Sequence, residues 1–190
     1  MTDQFALLDE PRSVWLDTEA LKTKFHERSA AFHPDRFHNA PENEKVEANR
    51  HYAELNAAYN CLSQTRSRLQ HFLELESGEP PEAIQQPPAD LMDLFFECGG
   101  LTRGIDKFLH EKEAADSPLL KVKLFEQSMY WTEKVEKFNA RIIEKIAELE
   151  TELQDSNTPA LPRIEDIYRR LSYYERWRSQ LQERFVKLSL

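Results

Sequence analysis

The feature that most restricts this chain's fold is a cluster of prolines set between two long stretches of helical periodicity. Ser77-Gly78-Glu79-Pro80-Pro81 is followed by Gln85-Gln86-Pro87-Pro88, which places four prolines within nine residues. Proline has no amide hydrogen to donate and clashes with the preceding turn, so no helix runs through such a segment. The chain therefore divides at residues 77–88, an extended spacer between a first unit at 1–76 and a second at 89–190. Composition favours helices on both sides, with only 4 glycines among 190 residues and Leu, Glu, Ala, Lys and Arg abundant. A balance of 40% hydrophobic and 31% charged residues suits a globular chain able to fill a core. The expected fold class is all-α.

The net charge of −9 works against a general nucleic-acid or anionic-membrane binder, because phosphate binding needs a surplus of Lys and Arg. The two halves share this sign, with nine basic against thirteen acidic residues in 1–76 and sixteen against twenty-one beyond. Cys61 and Cys98 stand far apart, forming neither a disulfide framework nor a Cys-x-x-Cys metal knuckle. The start Met-Thr-Asp-Gln-Phe lacks the basic region and apolar run of a signal peptide. No apolar stretch approaches the ~20 residues of a membrane span. A cytoplasmic location is the expectation.

In the first unit, Asp17-Thr18-Glu19 supplies an N-cap and an acidic first turn for a helix expected to reach about Phe32. Leu21, Phe25 and Phe32 lie on one face of it. Pro34 ends it, because the residue before a proline avoids helical angles. A second helix begins near Pro41-Glu42 and carries Tyr52, Leu55, Tyr59 and Leu62 at alternating spacings of three and four. A short helix at about 66–75 holds Leu69, Phe72 and Leu73, and an opening turn holds Phe5, Leu7 and Leu8. The pattern predicts an antiparallel helical hairpin with small helices at each end.

The second unit reads as a bundle of three helices. The first runs from about Ala89 to Lys112 and contains Gly99, Gly100 and Gly104. Each interior glycine costs about 1 kcal/mol relative to alanine, so a kink or break is expected there. The second starts at Ser117-Pro118, with an apolar stripe of Phe125, Met129, Phe138, Ile142, Ile146, Leu149 and Leu153. The third follows Pro159-Ala160-Leu161-Pro162. Positions 164, 167, 171, 174, 178, 181, 185 and 188 form a heptad seam interrupted only by Arg178, a layer that Trp177 can cover.

The residues with the most functional promise are His33-Pro34-Asp35, between the two main helices of the first unit. A loop at the turn of a helical hairpin is exposed and held by a rigid support. Pro34 stiffens it and lowers the entropy lost on docking. Asp35 can accept charge-assisted hydrogen bonds from an arginine on a partner. Lys22, Lys24, Arg28 and Arg36 are expected to add an exposed basic strip suited to an acidic partner surface, although a solvated helix face would look similar.

These residues resemble the J domain: a helix, then His33-Pro34-Asp35-Arg36, then a helix with Leu55-Asn56-Ala57-Ala58-Tyr59 and Leu62. More narrowly, Phe5-x-Leu7-Leu8-x-x-Pro11, Leu16-Asp17-x-x-x-Leu21, Phe25 and His33-Pro34-Asp35-Arg36-Phe37 resemble the HscB-type co-chaperones of bacterial iron–sulfur cluster assembly. The resemblance implies an N-terminal J domain, a short linker and a C-terminal three-helix bundle. It also implies that His33, Pro34 and Asp35 engage a DnaK/HscA-type chaperone ATPase and stimulate its ATP hydrolysis, while an iron–sulfur scaffold protein docks on the bundle as client. The client positions carried over by resemblance are Leu91, Met92, Phe95 and Tyr173. The chain departs from the pattern further along that helix, where acidic family positions are occupied by Phe96, Gly99 and Arg103. A J-domain protein serving a general DnaK-type chaperone and a different client is the alternative.

No enzyme is expected, since there is no Gly-rich phosphate loop, nucleophile elbow or paired-carboxylate signature. His26, His33, His38 and His51 lack the i, i+4 spacing of a helical zinc motif, so neither a metal nor another cofactor is expected. The six arginines between 163 and 184 are interleaved with Glu165, Asp166, Glu175 and Glu183, which favours a salt-bridged surface over a nucleic-acid face.

Overall fold

The structure is a computed structural model that describes residues 2–81, 86–114, 118–155 and 159–189. Among these the fold is all-α: α1 (Gln4–Leu7), α2 (Thr18–Ala30), α3 (Glu42–Ser63), α4 (Thr65–Ser77), α5 (Met92–Glu113), α6 (Pro118–Asp155) and α7 (Leu161–Ser189). Short 3-10 turns occupy Pro34–Phe37 and Ala89–Leu91. Contacts group the residues into two compact units, Met1–Glu82 with Glu150–Tyr168, and Ala83–Leu149 with Arg169–Leu190. No helix among the described residues is long and apolar enough to cross a membrane. The proline spacer falls partly on residues outside those described. Gly78, at φ +80°, closes α4 just before it, and its missing Cβ makes that left-handed turn inexpensive.

In the first unit α2 and α3 form the antiparallel hairpin. Phe25 stacks on Tyr59 at 4.7 Å and Phe32 approaches His51 at 4.9 Å, pairs whose numbers run in opposite directions. Leu21, Phe25, Ala48, Leu55, Ala58 and Leu62 are buried between them and the flanking helices, which add Phe5, Leu8, Leu69, Phe72 and Leu73. Helix α2 stops at Ala30, two residues short of the expected Phe32. The Phe32 amide donates to Ser29 O at 3.0 Å, and His33 is already extended (φ −59°, ψ 132°), as a residue before proline must be.

Arg68 on α4 was not legible as a core residue, yet it is 2% exposed. Its Nε donates to Val14 O at 3.0 Å and its Nη1 to Leu62 O at 2.6 Å, with Thr65 Oγ1 at 3.4 Å from Nη2. The guanidinium thereby satisfies a carbonyl in the last turn of α3 and one in the strap leading into α2. Burial lowers its pKa, and the Glu150 carboxylate opposes that shift. Thr65 Oγ1 donates to the same Glu150 at 2.8 Å.

His71 is a second buried polar group in this unit. Its Nε2 accepts the Gln4 amide at 3.0 Å, and its ring stacks on Phe5 at 5.7 Å. Burial holds the imidazole below its usual range, outweighing the nearby Asp3 and Glu74 carboxylates, which push the other way. Because the unfolded histidine, with a pKa of about 6.5, takes up its proton first as pH falls, the stabilising contribution is full above that value. It declines as pH falls toward the lower folded value. Urea unfolding at a series of pH values should show stability falling below about pH 6.5, with a shallower fall in His71→Leu.

The three long helices α5, α6 and α7 correct two sequence expectations. Helix α5 is continuous from Met92 to Glu113, with no break at its glycines. Gly104 has a packing reason: a Cβ there would stand 2.4 Å from Trp131 Cη2, so the bare backbone lets α6 approach. The stripe expected on the first part of α6 is out of register. Phe125 is 66% exposed and Met129 is 60% exposed, while Leu124, Ser128 and Val135 face inward. From Phe138 onward the expected residues Phe138, Ile142, Leu149 and Leu153 are buried. The α7 seam holds, with Ile164, Ile167, Leu171, Tyr174, Leu181 and Leu188 buried and Arg178 exposed. Trp177 is buried against Phe138, Tyr173 and Tyr174 and covers that layer. Ser117, the expected N-cap of α6, lies outside the described residues.

Arg163, Arg170 and Arg184 on α7 and Arg141 on α6 form ion pairs with partners on other elements. Arg170 meets Asp90 at 2.6 Å, Arg184 meets Asp106 at 2.7 Å, Arg141 meets Glu97 at 2.8 Å and Arg163 meets Glu152 at 2.6 Å. Two of the α5 glycines make separable predictions. Gly104→Ala should lower the thermal midpoint because Trp131 must move. Gly100→Ala, with nothing within 4 Å of its new Cβ, should add about 0.5–1 kcal/mol, read by chemical denaturation.

Candidate functional site

Asp17 caps α2 by accepting the Glu19 and Ala20 amides at 2.9 and 3.1 Å, and this fixes where the helix starts and hence where it ends. The chain then leaves the helix at Ala31 and crosses to α3 through the 3-10 turn Pro34–Phe37. Pro34 occupies the first position of that turn, where its missing donor costs nothing and its fixed φ is already suitable. The Arg36 amide donates to His33 O at 3.0 Å and closes the turn.

The three candidate residues are held by short-range contacts. His33 Nδ1 accepts the Asp35 amide at 3.3 Å, so in the neutral ring the proton resides on Nε2. The His33 and Tyr52 rings, the latter on α3, meet in a T-shaped pair with centroids 5.5 Å apart at 85°. His33 is thus braced from α3, and His51, one residue before Tyr52, braces Phe32. The Asp35 carboxylate is 90% exposed and lies 3.5 Å from His33 Nδ1. It has lone pairs to spare and an open approach, which a two-pronged guanidinium contact requires. In the sequence Tyr52 reads only as an apolar stripe residue, and its contact with His33 follows from the antiparallel register of the hairpin.

The basic residues do not form one strip. Arg36 Nη1 donates to Ala30 O at 3.2 Å, capping the carboxyl end of α2 while remaining exposed. Lys24 Nζ donates to Asp9 O at 2.9 Å and pairs with Glu10 at 2.9 Å, and Arg28 stands 4.0 Å from Asp9. These two cations are drawn toward the strap after α1, where Asp9 adopts a left-handed backbone at φ 56°. Lys22 lies about 160° round the helix from Lys24 and is exposed. Of the four cations, Arg36 therefore sits closest in the chain to His33-Pro34-Asp35.

The four residues of the second candidate surface are also divided. Leu91 and Tyr173 are core residues, 3% and 4% exposed. Tyr173 packs on Trp177 at 5.6 Å under the Arg176 guanidinium. Met92 is half-buried, Phe95 is 41% exposed, and Phe96 is 61% exposed, so the open apolar surface on α5 centres on the phenylalanine pair. Among the described residues no three His, Cys, Asp or Glu side chains converge as metal ligands would. Cys98 is buried, and desolvation pushes its thiol up to about 11, away from nucleophilic use.

An exposed His-Pro-Asp turn at the end of a two-helix hairpin, with small flanking helices and a helical bundle after it, resembles the fold of two-part J-domain proteins. The comparisons add similarity to proteins named HscB. The chain is 40% identical over 72 residues to a co-chaperone protein HscB homolog of Shewanella loihica, a stretch covering 38% of this chain and 42% of that relative's length. It superposes on chaperone HscB from Vibrio cholerae with a TM-score of 0.59 at 20% identity, covering 98% of this chain and 99% of that one. For human co-chaperone protein HscB the TM-score is 0.63 at 20% identity, covering 96% and 82%. No protein-family model matches the chain. The resemblance to HscB therefore holds in sequence over 72 residues and in fold over nearly the whole chain.

The bracing of His33 has a measurable consequence. In His33→Ala the Asp35 amide loses its acceptor and the turn loses its rest on Tyr52. Amide hydrogen exchange should quicken several-fold at Asp35 and Arg36 by NMR, with protection in α2 and α3 unchanged.

Proposed function

We propose that this chain is an HscB-type co-chaperone that recruits a DnaK/HscA-type chaperone ATPase through His33-Pro34-Asp35 and hands it an iron–sulfur scaffold protein as client. The observation that carries the reading is the turn itself: an acidic side chain 90% exposed, fixed by a proline and braced by His33 against Tyr52. Such a turn docks with little loss of entropy. Residues 1–76 act as the J domain, 77–88 as the linker and 89–190 as the client-binding part. Arg36 and Lys22 add positive charge for an acidic partner surface, with Lys24 and Arg28 contributing once their contacts to Asp9 and Glu10 give way. The client face takes in Met92 and Phe95, with Leu91 and Tyr173 supporting it from the core.

The chemistry belongs to the partner, so the chain is a regulator with no cofactor of its own and works in the cytoplasm. It speeds hydrolysis by binding more tightly to the hydrolysis-competent state of the chaperone than to the competing state. A second reading, recruitment of a general DnaK-type chaperone to another client, is favoured by one observation. Phe96, Gly99 and Arg103 give the α5 surface an apolar and positive character.

The deciding measurement is steady-state ATP turnover by DnaK- and HscA-type chaperones with and without this chain. Stimulation is expected, falling about tenfold or more in Asp35→Asn while the helical circular dichroism is retained. Equal stimulation by wild type and variant would sink the recruitment mechanism. Scaffold protein that fails to bind at micromolar concentration would move the client assignment to the second reading.

A further inference from the structure

The outward face of α5 carries an exposed aromatic pair beside a bare length of helix and then a cation. Phe95 and Phe96 meet edge to face at 5.6 Å and are 41% and 61% exposed. One turn further, Gly100 has nothing within 4 Å of where a Cβ would be. Only the Arg103 guanidinium lies near the corresponding point at Gly99, with Nη1 3.3 Å away. Unlike Gly104, Gly100 answers no packing need among the described residues and leaves α5 open to close approach there, while Gly99 lies under the Arg103 side chain.

The charge on this face is one-sided. Helical geometry places Met92, Phe95, Phe96, Gly99 and Arg103 within a stripe about 100° wide. Arg103 is exposed and makes no ion pair among the described residues. The nearest carboxylates are otherwise engaged or turned aside. Glu97 is bound to Arg141 at 2.8 Å, Asp106 is bound to Arg184 at 2.7 Å, and Asp93 lies about 100° round the helix from Met92. An apolar patch that ends in an unpaired guanidinium is complementary to an apolar side chain followed by a carboxylate.

From this we infer that the α5 face binds an amphipathic helix of a partner protein that presents an apolar anchor to Phe95 and Phe96 and a carboxylate to Arg103. The seven helical steps from Phe96 to Arg103 span about 10.5 Å, so anchor and carboxylate stand two turns apart on the incoming helix. The bare backbone at Gly100 admits that helix closely beside the two contacts. The inference rests on the reading of α5 as the client surface and adds the sign of the charge that the client must bring.

The test uses the whole chain and three fluorescent helical peptides, alike except at the seventh position after a Leu anchor, which is Glu, Gln or Lys. By fluorescence anisotropy, wild type should bind the Glu peptide about tenfold more tightly than the Lys peptide. Arg103→Glu should reverse the order, Arg103→Gln should erase it, and Phe96→Ala should weaken all three. Both positions are exposed, and circular dichroism checks that the fold is retained. Equal binding of the three peptides, no binding at all, a preference that survives Arg103→Glu, or indifference to Phe96→Ala would each overturn the inference. Chaperone stimulation by the same variants should be unchanged. A chain that keeps its peptide preference yet stimulates no DnaK- or HscA-type ATPase would refute the recruitment reading and leave this one standing.

Discussion

The buried guanidinium of Arg68 is the constraint on which the presentation of the loop depends. A charge taken out of water is costly unless its donors are used, and here three nitrogens reach Val14 O, Leu62 O and Thr65 Oγ1. Arginine suits the role because its wide planar fork can serve two separated carbonyls and stays charged when buried. Val14 precedes α2 and Leu62 lies in the last turn of α3, so the contact joins the two arms of the hairpin at the end opposite His33-Pro34-Asp35. The far end is pinned by a buried polar network and an apolar core. The loop end is left to local forces: a proline, a turn hydrogen bond and one ring against another. That division suits a docking element, which has to be exposed and yet held in a defined place.

The helices were legible because their apolar residues recur at helical spacing and their ends carry recognisable signals. Asp17 caps α2 as expected, and the long seam of α7 holds from Ile164 to Leu188. What failed to show were cases where tertiary packing overrules local preference. The glycines of α5 argue for a break, yet the helix runs unbroken through them, and Trp131 uses the space at Gly104. The start of α6 offers two competing faces. Phe125 and Met129 are the larger residues, but Leu124 and Ser128 face the core, and Ser128 Oγ donates to Leu188 O at 3.3 Å. A hydrogen bond to a residue sixty positions away leaves no trace in a periodicity. Arg68 is the same lesson with a charge, since an arginine between polar neighbours reads as surface.

The candidate site divides along similar lines. His33-Pro34-Asp35 was readable because its geometry is local: the proline fixes its own φ and restricts its neighbour, and the histidine caps the turn that follows. The basic strip was less readable because its members face in different directions. Residues 22, 24 and 28 look adjacent in the chain, but only 24 and 28 share a face, and that face meets Asp9 and Glu10. On α5, Leu91 and Tyr173 are drawn into the core, while Phe95 and Phe96 stay out. A short apolar run on an amphipathic helix cannot assign each member to inside or outside until the neighbouring helices are in place.

Three residues are enough for the proposed task when the magnitudes are considered. A charge-assisted hydrogen bond to a guanidinium contributes about 1.5–3 kcal/mol, which corresponds to roughly a ten- to hundredfold difference in affinity. If Asp35 makes that contact in one state of the chaperone and not in the other, the population shifts by the same factor. That gain survives only if little is spent on ordering the loop at the moment of docking. Here the ordering is already done, by Pro34 within the turn and by Tyr52 beneath His33. The same reasoning explains why an exposed carboxylate is tolerable in the free protein: at 90% exposure it is solvated by water, and desolvation falls only on the bound state, where an arginine replaces that water.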